Sequence, residues 1–279
     1  MMFFSDFDGT ISHSDPVVEL LALAVGSRAK ALALTREIML PVARQQRTYR
    51  EGFDLAVANF AGIDETTGLK TMVDAVHIDS TFSHFYDFCH SVHIPFVILS
   101  SGFANVIEKS LDLFLPNRSG ASTSRSSTKI SVVGSSYAHD KSQLLWKVRH
   151  VDDSPIGHDK SVHLVKARNT INTNVKLRGR VPIVYFGDGL NDIGPAEVAD
   201  IVFAKAGSSL DKQCTRRGIQ RRTFRDFAEV EDVLGQAFLI VNKLIEDQSD
   251  RLRDIDLIRT WRDVIYTYDR ADIKVDSKM

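Results

Sequence analysis

The first ten residues, Met1-Met2-Phe3-Phe4-Ser5-Asp6-Phe7-Asp8-Gly9-Thr10, decide the fold. Met2 to Ser5 is a short apolar run that stops at an acid, the pattern of a strand buried in a parallel sheet. Asp6 and Asp8 stand two apart, and Gly9 permits a tight turn directly after them. In an open α/β sheet, ligands gather at the carboxyl ends of the strands, so an acid pair in that place is a candidate site.

A second acid cluster answers the first. Ile183 to Phe186 reads as another core strand, and Gly187-Asp188-Gly189-Leu190-Asn191-Asp192 follows it at once. In a parallel sheet the two clusters meet at one edge. Converging carboxylates repel one another and titrate upward unless a cation lies among them, and an all-oxygen donor set beside phosphate suits Mg²⁺. A lone DxD or GDG is usually a solvated turn. Two such clusters, each ending an apolar strand and each carrying glycine, point to a site.

Between these strands the pattern changes. Residues 14–80 read as all-helical: Ser14 or Asp15 caps a helix opened by Pro16 and closed by Gly26, and Thr48 and Glu51 have capping-box spacing before Phe53, Val57 and Phe60. Residues 1–13 and 81–245 read as an α/β core, so the segment 14–80 is expected as a helical insert. Phe82, Phe85 and Cys89 mark a helix, Phe96 to Leu99 a strand ending at Ser100-Ser101-Gly102, and Phe103, Val106, Ile107, Leu111 and Phe114 another helix. Ile130 to Val133 is a third core strand, Leu144, Trp146 and Val148 suggest an edge hairpin, and Ile201 to Ala204 is a fifth core strand. The Ser-rich stretch 117–129 reads as a mobile loop, and residues 246–279 as a charged helical tail, frayed at its end.

Composition narrows the function classes. A formal net charge of -1 gives no global field toward nucleic acid, and the basic pairs Arg216-Arg217 and Arg221-Arg222 read as solvated surface. Cys89 and Cys214 form neither a disulfide framework nor a CxxC pattern, and the nine histidines give no HxH or HExxH zinc signature. No signal-peptide pattern opens the chain, and no uncharged run reaches the ~18 residues of a membrane helix. The expectation is a soluble cytoplasmic protein without membrane insertion.

With these residues in view, the chain resembles the haloacid dehalogenase superfamily of phosphotransferases. DFDGT resembles its first motif, Ser100 its second, Lys160 its third and GDGLND its fourth. The resemblance covers about residues 1–225 and implies a three-layer Rossmann-like α/β fold. Residues 14–80 are similar to the C1 cap of the phosphoserine phosphatase branch. DDSPIGHDKS and DIVFAKAGSSLDKQC resemble a subgroup of small fungal phosphomonoesterases, for which nucleotide monophosphates and pyridoxal phosphate are suggested substrates.

The resemblance also implies roles. Asp6 is the nucleophile that takes the phosphoryl group, and Asp8 gives a proton to the leaving alcohol and later takes one from water. An acid at Asp8 argues against dehalogenation. Mg²⁺ is held by Asp6, the Asp8 carbonyl and Asp188, with Asp192 in the metal group as a residue that orients the lysine or a bound water. Ser100, with a backbone N–H of Ser101 or Gly102, binds phosphoryl oxygens; a plain helix cap is the other reading of Ser100. Asp15 matches an acidic specificity position or is an N-cap, and Arg50 matches a substrate-facing arginine or is solvated. The implied activity is Mg²⁺-dependent hydrolysis of a small phosphorylated metabolite: a nucleotide monophosphate, or a cofactor, sugar or isoprenoid phosphate. A phosphomutase and a non-catalytic binding module are the alternatives.

One ambiguity is internal. The tetrapeptide HDKS occurs at residues 139–142 and at 158–161. Lys141 falls in the hairpin. Lys160 follows the turn signal Pro155-Ile156-Gly157 and opens a helix through Val162, Val165 and Ile171, one crossover before Asp188. Lys160 is therefore the phosphate lysine.

Overall fold

The computed structural model describes residues 1–115, 129–174, 181–247 and 256–268. Seven strands build one sheet: β1 (Met2–Ser5), β2 (Phe96–Phe103), β3 (Ser131–Asp140), β4 (Leu145–Arg149), β5 (Ile183–Gly187), β6 (Ile201–Lys205) and β7 (Arg222–Phe224). Their order is β4-β3-β2-β1-β5-β6-β7. Every pairing is parallel except β3 with β4, which form the expected edge hairpin. β1 is central: Ser5 pairs with Ile98 on one side and Phe186 on the other, so Asp6, Ser100 and Asp188 leave the sheet at one end.

Helices α1 (Pro16–Val25), α2 (Arg28–Ala43), α3 (Tyr49–Ala58) and α4 (Glu65–Asp74) follow β1. Their starts are chemically marked. The Asp15 carboxylate accepts the Val17 N–H at 2.9 Å, and Gly26 ends α1 at φ 73°. Thr48 and Glu51 form the reciprocal capping box of α3. These helices join the core through two neighbouring connections, where Ser12 bridges Ile78 and the His13 N–H donates to the His77 carbonyl. The core helices are α5 (Phe82–Ser91), α6 (Ala104–Phe114), α7 (Lys160–Asn174), α8 (Ile193–Val198), α9 (Ser209–Arg217), α10 (Phe227–Asp247) and α11 (Leu257–Thr267).

One face of the sheet is an aromatic core. Phe3, Phe82, Phe85, Phe96, Phe186, Phe203, Phe224 and Phe227 are buried in one cluster. Most of their rings meet edge-on or tilted, as in the Phe82–Phe227 pair at 5.0 Å, while Phe3–Phe85 and Phe186–Phe203 are stacked. A second cluster joins α1 and α3 to Phe103 and Trp146, so the insert rests on the hairpin.

α7 is the helix expected to open at Lys160: Lys160 and Leu164 are buried, while Val162 and Val165 are exposed. The structure changes three expectations. β2 runs through Ser100-Ser101-Gly102 to Phe103, with its register against β3 broken between Leu99 and Phe103. Arg221 and Arg222 are pinned rather than solvated: Arg221 pairs with Asp211, and Arg222 donates to the Ile265 and Tyr268 carbonyls. The charged tail contains α11, whose Trp261 and Ile265 are buried in the main core, with Trp261 against Phe238 at 4.7 Å. The Ser-rich stretch lies outside the described residues apart from its last member, Lys129, as does the end of the tail from residue 269.

If α11 belongs to the core, Trp261→Ala costs about 3–5 kcal/mol of folding free energy. Urea unfolding followed by circular dichroism measures it, and a loss below about 1 kcal/mol contradicts the packing.

Candidate active site

The site forms where β1, β2 and β5 end. Asp6 is buried, and its Oδ1 accepts the Phe7 N–H at 2.7 Å and an ion pair from Lys160 Nζ at 2.9 Å. Both contacts fall on Oδ1, which leaves Oδ2 outside them. Lys160, the first residue of α7, is completely buried and donates to Asp192 Oδ1 at 2.7 Å as well. Burial alone would discharge this ammonium, but Asp192 and Asp6 hold its pKa above the usual lysine value. Lys141, from the other HDKS copy, is exposed beside the hairpin.

Asp192 has both oxygens engaged. Oδ1 takes Lys160 and the Tyr185 hydroxyl (2.5 Å), and Oδ2 takes the N–H groups of Asp188 (3.0 Å) and Gly189 (2.8 Å). These donors hold its pKa below the carboxylate range despite burial. Asp6, Asp188 and Asp192 offer oxygens within 4.8 Å of one another. Asp192 already takes four donors, which leaves Asp6 and Asp188 as the members of this group with acceptor capacity to spare.

Asp188 is steered by Thr10, whose hydroxyl donates to Oδ1 at 2.9 Å. Burial, then the charge of Asp192, raises its pKa to about 6. Asp6 is likewise raised by burial and by Asp192 and Asp188, against the pull of Lys160. One ammonium among three carboxylates leaves an excess of negative charge that a divalent cation satisfies. The donor set therefore fits Mg²⁺. Gly9 is required here: at φ 80°, a Cβ on it would lie 2.4 Å from Asp188 Oδ2.

Asp8 points to the other side. Burial first, then the charges of Asp15 and Asp188, push its pKa well up. A Cβ on Gly102 would stand 2.8 Å from Asp8 Oδ2 and 3.2 Å from Ser100 Oγ, which places the acid beside the serine. Asp8 Oδ1 is buried and has no protein partner among the described residues.

Ser100 is buried and does not cap α6, whose N-cap is Phe103. Its Oγ accepts the Gly102 N–H at 2.9 Å, so that N–H is already engaged, leaving Ser101 to offer a backbone donor. The Ser101 hydroxyl accepts from Asn191 Nδ2 at 3.1 Å and ties β2 to the second acid turn. Asp15 is the N-cap of α1, and its charge is the largest one acting on Asp8. Arg50 turns to the 152–155 loop: its Nη1 donates to the Asp152 carbonyl at 2.9 Å and meets the Asp153 carboxylate at 3.3 Å.

The sequence reading missed several residues that act here. Tyr185 and Asn191 fix the second acid turn, and Lys205 Nζ donates to the Thr10 carbonyl at 3.1 Å. Tyr49 brings a phenol from the helical insert; burial and the charges of Asp15, Asp6, Asp8 and Asp192 raise its pKa. His158 hydrogen-bonds the Ser100 carbonyl. The only sequence signal was adjacency to motif residues, for Asn191 and His158.

Carboxylates at the ends of β1 and β5, a buried lysine on the crossover helix and a serine where the β2 register breaks define a hydrolase site on a Rossmann-like sheet. A family model described as haloacid dehalogenase-like hydrolase matches residues 3–197, and the chain belongs to that family. It is 30% identical over 237 residues to Pdp3-interacting factor 1 of Schizosaccharomyces pombe, covering 84% of this chain and 95% of that protein. It is 24% identical over 235 residues to the polyol phosphate phosphatase PYP1 of Saccharomyces cerevisiae, covering 84% of this chain and 90% of that one. Its fold is similar to a phosphoserine phosphatase solved as a phospho-aspartyl intermediate analogue: TM-score 0.60, 12% identity, 83% of this chain and 97% of the other.

Mg²⁺ must displace a proton from Asp188 below its pKa of about 6. The rise in Tm given by millimolar Mg²⁺ should therefore be full at pH 7.5 and shrink steadily below pH 6. A shift that is constant from pH 7.5 to 5 contradicts Asp188 as a ligand.

Proposed function

We propose that the protein is a Mg²⁺-dependent phosphomonoesterase that works through an aspartyl phosphate on Asp6. The observation that carries this reading is the contrast between Asp6 and Asp8. Asp6 Oδ1 is paired with a buried ammonium, whereas Asp8, two residues on, has a buried Oδ1 without a hydrogen-bond partner among the described residues. A nucleophile and an acid of one residue type need different partners, and these two have them.

Asp6 Oδ2 attacks phosphorus and the P–O ester bond breaks. Asp8 gives its proton to the departing alkoxide oxygen, so a neutral alcohol leaves. Asp8, now a carboxylate, takes a proton from water as that water attacks the acyl phosphate. Inorganic phosphate leaves and both aspartates return to their starting states. Lys160 and Ser100 hold the phosphoryl oxygens, and Asp192 keeps Lys160 charged and in place. Held by Asp6, Asp188 and the Asp8 carbonyl, Mg²⁺ supplies charge neutralisation between nucleophile and phosphate.

For the leaving group we favour a small hydroxylated alcohol, as in a polyol or sugar phosphate. Asp15 and Tyr49 are the groups of the insert whose fields meet Asp8, and both hydrogen-bond without positive charge. Arg50, which would suit a second anion, is engaged by Asp152 and Asp153. The relative in Saccharomyces cerevisiae, a polyol phosphate phosphatase, supports the same choice. Nucleotide, cofactor and isoprenoid phosphates are the competing substrates.

A phosphate-ester panel with and without Mg²⁺ tests this reading. Polyol phosphates should lead in kcat/KM, and phosphate release should vanish in EDTA. Asp6→Asn should lose at least about 10³-fold in kcat while remaining folded. Lys160→Ala should lose about 10²–10³-fold, and Lys141→Ala should stay within about twofold. A reversed ranking of the lysines overturns the assignment of the second HDKS copy.

A further inference from the structure

A buried histidine stands beside the phosphate site with no role in the chemistry so far. His158 is completely buried, two residues before Lys160, and its Nδ1 lies 2.7 Å from the Ser100 carbonyl oxygen. A carbonyl only accepts, so the proton of this bond sits on Nδ1. Burial, then the charges of Lys160 and His163, lower the ring's pKa to about 4, leaving a neutral imidazole at working pH. Its Nε2 is buried without a hydrogen-bond partner among the described residues, and the His163 ring packs edge-on at 5.1 Å. The Nδ1 bond is thus the one polar contact this ring makes there.

That bond falls where the sheet stops supplying one. β1 pairs with β2 only as far as Ile98, and the register with β3 breaks between Leu99 and Phe103. Ser100 sits in the gap, and a buried carbonyl outside a ladder needs a partner. His158 provides it from the turn that delivers Lys160 to Asp6.

We propose that His158 is a positioning residue for phosphoryl binding: its Nδ1–H replaces the missing ladder bond and fixes the Ser100 backbone, and through it the Ser100 hydroxyl, at a set distance from Lys160. This rests on the reading of Ser100 as a phosphoryl ligand. The turn itself is rigid. Asp152 accepts the Ser154 N–H at 2.9 Å and the Asp159 N–H at 2.7 Å, and the Val151 and Asp152 N–H groups both donate to the Gly157 carbonyl. A histidine so mounted moves with Lys160, which keeps the two sides of the phosphate pocket in register.

The test compares His158→Asn, whose amide nitrogen falls near the place of Nδ1, with His158→Gln and His158→Leu, which put no donor there. His158→Asn should keep kcat/KM within about threefold, while Gln and Leu should lose about 10- to 100-fold. Phosphate affinity, measured by calorimetry with Mg²⁺ present, should fall in parallel. In a Ser100→Ala background, His158→Gln should add less than about threefold. Wild-type activity in His158→Gln, an Asn variant as impaired as Gln, or full additivity with Ser100→Ala overturns the proposal. Because Gln is polar, the comparison stands even where Leu fails to fold. A wild-type protein that binds phosphate but hydrolyses no ester sinks the phosphatase reading alone, and the calorimetric series still decides the role of His158.

Discussion

The buried ammonium of Lys160 is the interaction on which the rest of the site depends. It touches Asp6 and Asp192 at once, with all three side chains removed from water. Isolated, such charges would be driven neutral by desolvation. Together with the Tyr185 hydroxyl and two backbone N–H groups on Asp192, they satisfy one another. The lysine stays charged, and Asp6 keeps one oxygen bound and one free. The central strand, the crossover helix and the second acid turn are thereby locked at one point.

The same logic separates the two aspartates of the first turn. Both are buried, but Asp6 is paired with Lys160 beside Asp192 and Asp188, while Asp8 lies in the field of Asp15 and Asp188. Gly9 lets the chain bend directly after them while Asp188 closes in, and at φ 80° a Cβ there would meet Asp188 Oδ2 at 2.4 Å. Burial pushes both carboxyls above the usual carboxylate range, and they differ in their partners: Asp6 meets the Lys160 ammonium, and Asp8 lies beside Ser100.

Much of this was legible in the sequence because it is local. Apolar runs ending in acid marked β1 and β5, and the caps at Asp15 and Thr48 marked α1 and α3 before any contact was known. What was not legible depends on distant partners. Arg222 looks like a surface charge until α11 brings the Ile265 carbonyl to it, and the Tyr185 hydroxyl on Asp192 is invisible until the strand and the turn are folded together. Tyr49 and His158 carry no motif, since their value comes from charges and a strand break elsewhere in the chain.

The two ends of the sheet have a consequence of another kind. An open sheet exposes unpaired backbone at its outermost strands, and such margins recruit other chains. Here one margin, β7, is only three residues long and carries Arg222. The other, β4, runs antiparallel to its neighbour and alternates a buried Trp146 with exposed Lys147 and Arg149. A strand that is short and one that bristles with cations both make poor templates. The chain can therefore keep a strongly apolar central sheet in a crowded solution without presenting a surface for self-stacking.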